Sequence, residues 1–303
     1  MIAVSVLMVL DQDLTQIERD RKLELLDEGI KGASPEDAEN EDLGIDISGE
    51  SKSGQISSLP WEGEPEFSEA KKMNKTGVLM AAYRTVLVDP LPGEEYNVHL
   101  AAELISGRVI ASGSVFSQNR EIGPYDKSKG FREGPTYAGA KLITTIGGGV
   151  CKISSTLYNV AVLSDLEIVQ RYNHSMPVPY VPYGQDATVA YGGRDFQFKN
   201  DTPYPIMIWA RGIGNNLYVA FYGQEKPPKV QWEHEISNVQ KAPVIYKGNP
   251  GLASWEKKII IEGMDGATVK SKVVVTKPDG TVETKDMGVS RYQPMPYIVE
   301  RGR

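Results

Sequence analysis

A single cysteine, Cys151, follows Gly147-Gly148-Gly149-Val150 and precedes Lys152-Ile153-Ser154-Ser155-Thr156-Leu157-Tyr158. Ile153, Leu157, Val160 and Ala161 recur at helical spacing, which predicts a helix with Cys151 at or near its first turn. Free amides and the positive end of the helix dipole favour a thiolate over a thiol there. The same amides could hold a developing oxyanion, the glycines leave room for a substrate carbonyl, and Lys152 adds positive charge. These residues alone leave a second reading open, because an unpaired cysteine is often a small buried hydrophobe and glycines before a helix are often only a tight turn.

Arg171-Tyr172-Asn173-His174-Ser175 then opens a proline-rich extended stretch. A histidine on such a rigid segment, soon after the cysteine helix ends, could return to the thiol as general base, or it could be an ordinary hydrogen-bonded residue. Asp186 could orient the imidazole as a third member or cap a turn after Gly184. Arg171 could bind a substrate carboxylate in bidentate fashion or pair with a surface acid. Asp195, Lys199 and Asn200 are weaker candidates around an expected hairpin.

The elements that must position these residues read as an α+β fold: a β-rich catalytic domain with a cysteine-bearing helix, followed by a small all-β module. Strands are expected at 83–89, 109–117, 187–191, 206–211 and 217–222, with Asn215-Asn216 as the tight turn before the last. A helix over 97–106 would carry Leu100, Ala101, Leu104 and Ile105 on one side, with Asn97 as its cap and Gly107 as its stop. After Pro227-Pro228 come strands at 230–236, 258–262, 269–276 and 282–286, with Asp279-Gly280 as a hairpin turn. The expected division is 1–10, 11–76, 77–225 and 226–303.

The chain has 303 residues and a formal charge of −7. Residues 11–70 hold 18 acidic and 5 basic side chains, a balance of −13, so the remainder is modestly basic at +6. A short charged helix is expected over 11–31 and a linker from Ala33 to about Lys75, where acids, serines, glycines and prolines leave few aliphatics to bury. Residues 1–10 are almost wholly apolar, half the length of a membrane span, and are read as the remnant of an export signal or as a membrane anchor. One cysteine excludes an intramolecular disulfide, and three widely spaced histidines suggest no metal motif. No phosphate-binding glycine fingerprint and no basic run interleaved with aromatics is present, so neither a cofactor nor nucleic acid is expected.

Four ordered motifs, Gly-Gly-Gly-Val-Cys-Lys-Ile-Ser-Ser-Thr-Leu-Tyr-Asn at 147–159, Leu-Glu-Ile-Val-Gln-Arg-Tyr-Asn-His-Ser at 166–175, Tyr-Val-Pro-Tyr-Gly-Gln-Asp-Ala-Thr-Val at 180–189 and Asp-Phe-Gln-Phe-Lys-Asn-Asp-Thr at 195–202, together resemble the VanW domain. The resemblance covers about residues 77–223, and 263–296 is similar to the small β module that often follows that domain. One departure is Lys152, where the family usually has glutamine.

The resemblance implies a bacterial cell-envelope protein, exported or membrane-anchored, of a family first noted beside glycopeptide-resistance genes. It implies a cysteine-dependent L,D-transpeptidase acting on peptidoglycan stem peptides, with Cys151 as nucleophile, His174 as base and Asp186 in support. Arg171, Ser175, Lys152, Gly148, Gly149, Ser154 and Ser155 form the expected substrate-binding set. Two other readings stay open: a non-catalytic wall-binding scaffold, and a cysteine carboxypeptidase or endopeptidase that transfers the acyl group to water.

Overall fold

The computed structural model describes residues 53–88, 90–91, 93–138 and 141–302. The expected apolar leader over 1–10, the helix over 11–31 and the first part of the linker lie outside the described residues.

Three stretches form the centre of the fold: β2 (Val78–Val86), β9 (Ile206–Ile213) and β10 (Asn216–Gly223). With β1 (Gly54–Gln55) and β3 (Val109–Ile110) they make an antiparallel sheet in the order β1-β2-β10-β9-β3. Side chains alternate across a strand, and here both faces are covered. Ala81, Tyr83, Ile208, Val219 and Phe221 face the main core, whereas Ala82, Met207, Trp209, Ala220 and Tyr222 face a second cluster.

The main core is closed by two helices, α2 (Glu94–Ile105) and α4 (Cys151–Leu163). The second cluster is closed by residues expected to be linker. Leu59, Trp61 and Phe67 are buried there, Phe67 on α1 (Pro65–Asn74), and the Trp61 indole donates to the Tyr222 hydroxyl at 3.0 Å. Few aliphatics suffice because two large aromatic rings, packed edge-on to Trp209, Tyr218 and Tyr222, cover what the sheet exposes.

Between these elements lie α3 (Gln118–Glu121), the short strands β4 (Val115–Ser117), β7 (Glu167–Gln170) and β8 (Gln197–Lys199), which pair in the order β4-β8-β7, and the hairpin of β5 (Glu133–Ala138) with β6 (Lys141–Ile146). The strand expected over 109–117 is thus two short ones. The turn between β9 and β10 falls at Gly214-Asn215, one residue before the expected pair.

The chain then builds two three-stranded sheets. One is antiparallel, β11 (Lys229–Gln240), β14 (Gly266–Thr276) and β15 (Val282–Tyr292), in the order β11-β14-β15. The other is mixed, β12 (Val244–Asn249), β13 (Lys257–Ile261) and β16 (Tyr297–Gly302), in the order β12-β16-β13. Val230, Val273 and Val275 join the main core, so the first of these sheets packs directly against the helical body.

Trp61→Ala removes both the ring and its hydrogen bond, and should lower unfolding free energy by about 3–5 kcal/mol, read as a lower urea midpoint. An unchanged midpoint would mean that the 53–75 segment does not cover the sheet.

Candidate functional site

Cys151 is the first residue of α4. The turn before it is tight because three backbones meet: a Cβ on Gly148 would stand 2.0 Å from the Gly134 carbonyl oxygen, and Gly149 has φ +100°, with Glu94 Cγ 2.9 Å from where its Cβ would lie. Asn97 ties the same point together. Its side chain donates to the carbonyls of Arg132 and Gly148, both at 2.9 Å, and accepts from the Arg132 N–H at 2.8 Å. Asn97 is therefore a staple inside α2 and not its cap, a place taken by Gly93 at φ +79°.

The segment after β7 runs back across the start of α4. The strand expected over 187–191 is absent; side chains take the place of a ladder. The Ala187 N–H donates to Ser155 Oγ at 2.9 Å, and Asn159 Nδ2 donates to the Gln185 carbonyl at 2.9 Å. The Thr188 N–H donates to the Tyr172 carbonyl at 2.8 Å. These bonds set Thr188 Oγ1 3.4 Å and the Val189 carbonyl oxygen 3.7 Å from the Cys151 sulfur.

His174 lies on the same returning segment, 4% exposed, and its ring is hydrogen-bonded to Cys151. Its Nδ1 faces Asp186 Oδ2 at 2.6 Å, and its backbone N–H donates to that oxygen at 2.7 Å. The other carboxylate oxygen accepts from Arg171 Nη2 at 2.9 Å and from the Tyr292 hydroxyl at 2.5 Å. Cys151, His174 and Asp186, far apart in sequence, thus form one hydrogen-bonded row.

The electrostatics follow from burial opposed by partners. Burial disfavours charge on both Cys151 and His174 and is the largest single effect on each, but the partners together outweigh it: His174, Thr188 and the Val189 backbone for the thiol, Asp186 and then Cys151 for the imidazole. The thiol is held below its ordinary value and the imidazole is raised to about 9. Both shifts favour the thiolate–imidazolium form of the pair. Asp186 stays ionised: burial raises it, and His174, Arg171 and Tyr292 together lower it further.

The row opens onto a cleft of about 790 Å³ lined by Cys151, His174 and Thr188, by Pro135 and Ile146 of the hairpin, and by Tyr125. Lys152 and Glu94 also line it, in contact as an ion pair, with the Lys152 Nζ 4.7 Å from the Tyr180 ring centre. Burial brings the Lys152 amine down to about 7, and the adjacent carboxylate opposes that loss of charge.

The other expected site residues divide between the cleft and its surroundings. Gly149 and Lys152 line the cleft. Ser154 and Ser155 are fully buried in α4, donating to the carbonyls of Val150 and Cys151, and Gly148 is packed on Gly134. Arg171 lies behind Asp186, bonded to its carboxylate, to its carbonyl at 2.7 Å and to Ser290 Oγ at 2.8 Å, so it is not placed to take a substrate carboxylate. The Ser175 carbonyl accepts from the Gln293 N–H at 2.7 Å, on the side of the C-terminal sheet. Asp195 and Asn200 each hold several loop amides and hydroxyls, and Lys199 pairs with Glu167 on the surface. Glu94, Thr188 and Tyr292 were not anticipated. A glycine followed by two acids at 93–95 signals a helix start and could have revealed Glu94; Tyr292 carries no comparable sign.

A helix-borne cysteine, a histidine within hydrogen-bonding reach and a carboxylate behind the histidine define a cysteine–histidine–aspartate site on an α+β scaffold. Residues 93–222 match the family described as VanW like protein. Over this stretch the chain is similar to the VanW family. It is 36% identical over 146 residues to the uncharacterized protein YoaR of Bacillus subtilis (strain 168), covering 48% of each chain. It is also 36% identical over 137 residues to the vancomycin B-type resistance protein VanW of Enterococcus faecalis (strain ATCC 700802 / V583), covering 44% of this chain and 50% of that one. The matched regions thus span about half the length of each of these relatives. A solved structure, the IgA1 protease G5 domain, shares 22% identity over 26% of this chain and 95% of that one, with a TM-score of 0.16, too low to support an argument.

The ion pair predicts that iodoacetamide alkylates Cys151 near pH 6.5 about ten-fold faster in the wild type than in His174→Ala, because one unit of thiol pKa is a tenfold change in thiolate. Equal rates from neutral pH downward would show that no such pair forms.

Proposed function

We propose that the protein is a peptidoglycan L,D-transpeptidase of the bacterial cell envelope, forming 3-3 cross-links through a Cys151 thioester. The observation that carries this reading is the hydrogen-bonded row of Cys151, His174 and Asp186 at the edge of a cleft. A relative named for vancomycin resistance supports a wall-linked substrate. Acyl transfer through a thioester also suits a compartment without ATP, since the bond broken supplies the energy of the bond made.

The Cys151 thiolate attacks the carbonyl carbon of the third residue of a tetrapeptide stem, forming a C–S bond and an oxyanion. The Cys151 N–H has no protein acceptor among the described residues. With the positive end of α4 it supplies a donor for that charge. Collapse breaks the C–N bond to the terminal D-alanine, whose nitrogen takes the proton from His174 and leaves. The amine of a neighbouring stem then attacks the thioester and gives a proton to His174. Cleavage of the C–S bond restores thiolate and imidazolium.

Asp186 keeps the His174 ring oriented with Nδ1 inward, leaving Nε2 for the sulfur and the leaving nitrogen. Lys152 and Glu94 place paired charges on the cleft wall, where the ammonium can meet a stem carboxylate and the carboxylate a stem amine.

Mass spectrometry of the protein incubated with tetrapeptide-stem muropeptides should give a covalent adduct with loss of D-alanine, followed by 3-3 dimers; Cys151→Ala should give neither. Shortened stems without dimers would make the protein a hydrolase, and no adduct or turnover in the wild type would overturn the acyl-enzyme route.

A further inference from the structure

Asp186 is held from two separate parts of the chain. His174 and Arg171 belong to the segment that precedes it, but the remaining donor, Tyr292, ends β15 in the C-terminal sheet, 106 residues away. Two residues earlier on that strand Ser290 Oγ accepts from Arg171 Nη1 at 2.8 Å, and just beyond Tyr292 the Gln293 N–H donates to the Ser175 carbonyl at 2.7 Å. This end of the sheet therefore meets the histidine segment through Ser290, Tyr292 and Gln293, around the carboxylate.

A phenol has one proton to give. The Gly184 N–H donates to the Tyr292 oxygen at 2.9 Å, which fills an acceptor position and directs the phenolic proton to Asp186 Oδ1 at 2.5 Å. The ring is fixed by an edge-to-face contact with Tyr183, centres 5.5 Å apart. Burial and the neighbouring carboxylate push the phenol well above its usual value, so it remains a donor throughout the neutral range.

Arg171 Nη2 already donates to Oδ1 at 2.9 Å. What the phenol adds is a second, short, charge-assisted bond, and such a bond takes up negative charge from the oxygen that accepts it. We propose that Tyr292 is a positioning residue of the cysteine site, supplied by the C-terminal sheet, whose hydroxyl moderates the charge that Asp186 presents to His174. The imidazolium is then held firmly enough to accompany the thiolate and loosely enough to give its proton to a leaving nitrogen. This inference rests on the reading of Cys151 and His174 as an acid–base pair.

The titratable and charged groups around this point are few. Cys151 and Tyr158 face it from α4, Arg171 and Asp186 from the returning segment, Tyr292 from β15, and His234 of β11 stands beyond Gln185. Burial pushes Tyr158 up to about 12, and burial and Arg171 lower His234. Tyr158 and His234 are thus displaced in opposite directions, and Cys151 is the group whose titration is coupled to that of His174.

The test is an NMR titration of the His174 ring in the full chain, run beside iodoacetamide alkylation of Cys151. Tyr292→Phe keeps the ring and removes only the hydroxyl. The His174 midpoint should rise by about half to one pH unit, a three- to tenfold tighter hold on its proton, while Cys151 stays reactive below the ordinary thiol range. A midpoint that is unmoved or lower overturns the inference. Replacing Tyr292 with 3-fluorotyrosine, a more acidic phenol of nearly the same shape, should lower the midpoint, and a rise or no change there overturns the inference even where the phenylalanine variant does not fold. A wild-type His174 that titrates at its ordinary value, with Cys151 alkylated like a free thiol, overturns the pair and this inference together; a wild-type pair that ignores both substitutions overturns this inference alone.

Discussion

Asp186 is a carboxylate 2% exposed to solvent, and a charge so placed is tolerable only if donors replace the water it has lost. Four do so, two on each oxygen: the His174 backbone and ring on one, Arg171 and Tyr292 on the other. Each donor constrains a different piece of chain. The two bonds from His174 set both the backbone and the ring of one residue. Arg171 reaches the carboxylate only by also bonding the Asp186 carbonyl, which curls the intervening segment back on itself. Tyr292 requires that the end of β15 lie against that curl.

The path from the end of β7 to the start of β8 has no regular structure, yet several of its backbone groups are bonded. Some of the partners come from α4, where Ser154, Ser155, Thr156 and Asn159 are all fully buried. Polar residues at such positions weaken an isolated helix, because they compete for its own backbone. Here Ser155 and Asn159 bind the crossing segment instead, and Thr156 meets Thr85 of β2 at 2.7 Å. Helix, sheet and crossing segment are consequently registered to one another by hydrogen bonds as well as by packing, and the sulfur and the imidazole inherit that registration.

This arrangement explains what could be read from the sequence. The cysteine helix was legible because three glycines abut an apolar repeat, and both signals are local. His174 and Asp186 were legible as residue types on a proline-stiffened stretch, but nothing local says that they touch. The strand expected over 187–191 failed because Ala187, Thr188 and Val189 are buried together and their backbone bonds to Ser155 and Tyr172, not to a neighbouring strand. The expected linker failed for a different reason. Its composition is polar, but Trp61 and Phe67 bury large areas per residue, and β9 and β10 are apolar on both faces, which already required a cover on the far side. Arg171 is the clearest case of a correct signal with the wrong target, since its bidentate capacity is used on Asp186 and not on a ligand.

The C-terminal sheet looked in sequence like an appended module, because its strands alternate and pair locally. Its attachment is not peripheral. Val230, Val273 and Val275 enter the main core, Trp232 packs edge-on against Tyr158 of α4 at 5.6 Å, and His234 binds both Gln185 and Ser271. Gly184 marks the closeness of the contact: any Cβ there would lie 2.3 Å from Ser271 Oγ, at φ +83°. Removing the sheet would expose apolar core and leave Arg171 and Asp186 short of partners at once, so packing energy and site electrostatics depend on the same surface. Separate recognition and catalytic units would normally be joined by a more polar, yielding contact. The interface seen here has the character of a core, and the hydrogen-bonded row at Cys151 is built from both parts of the chain that meet there.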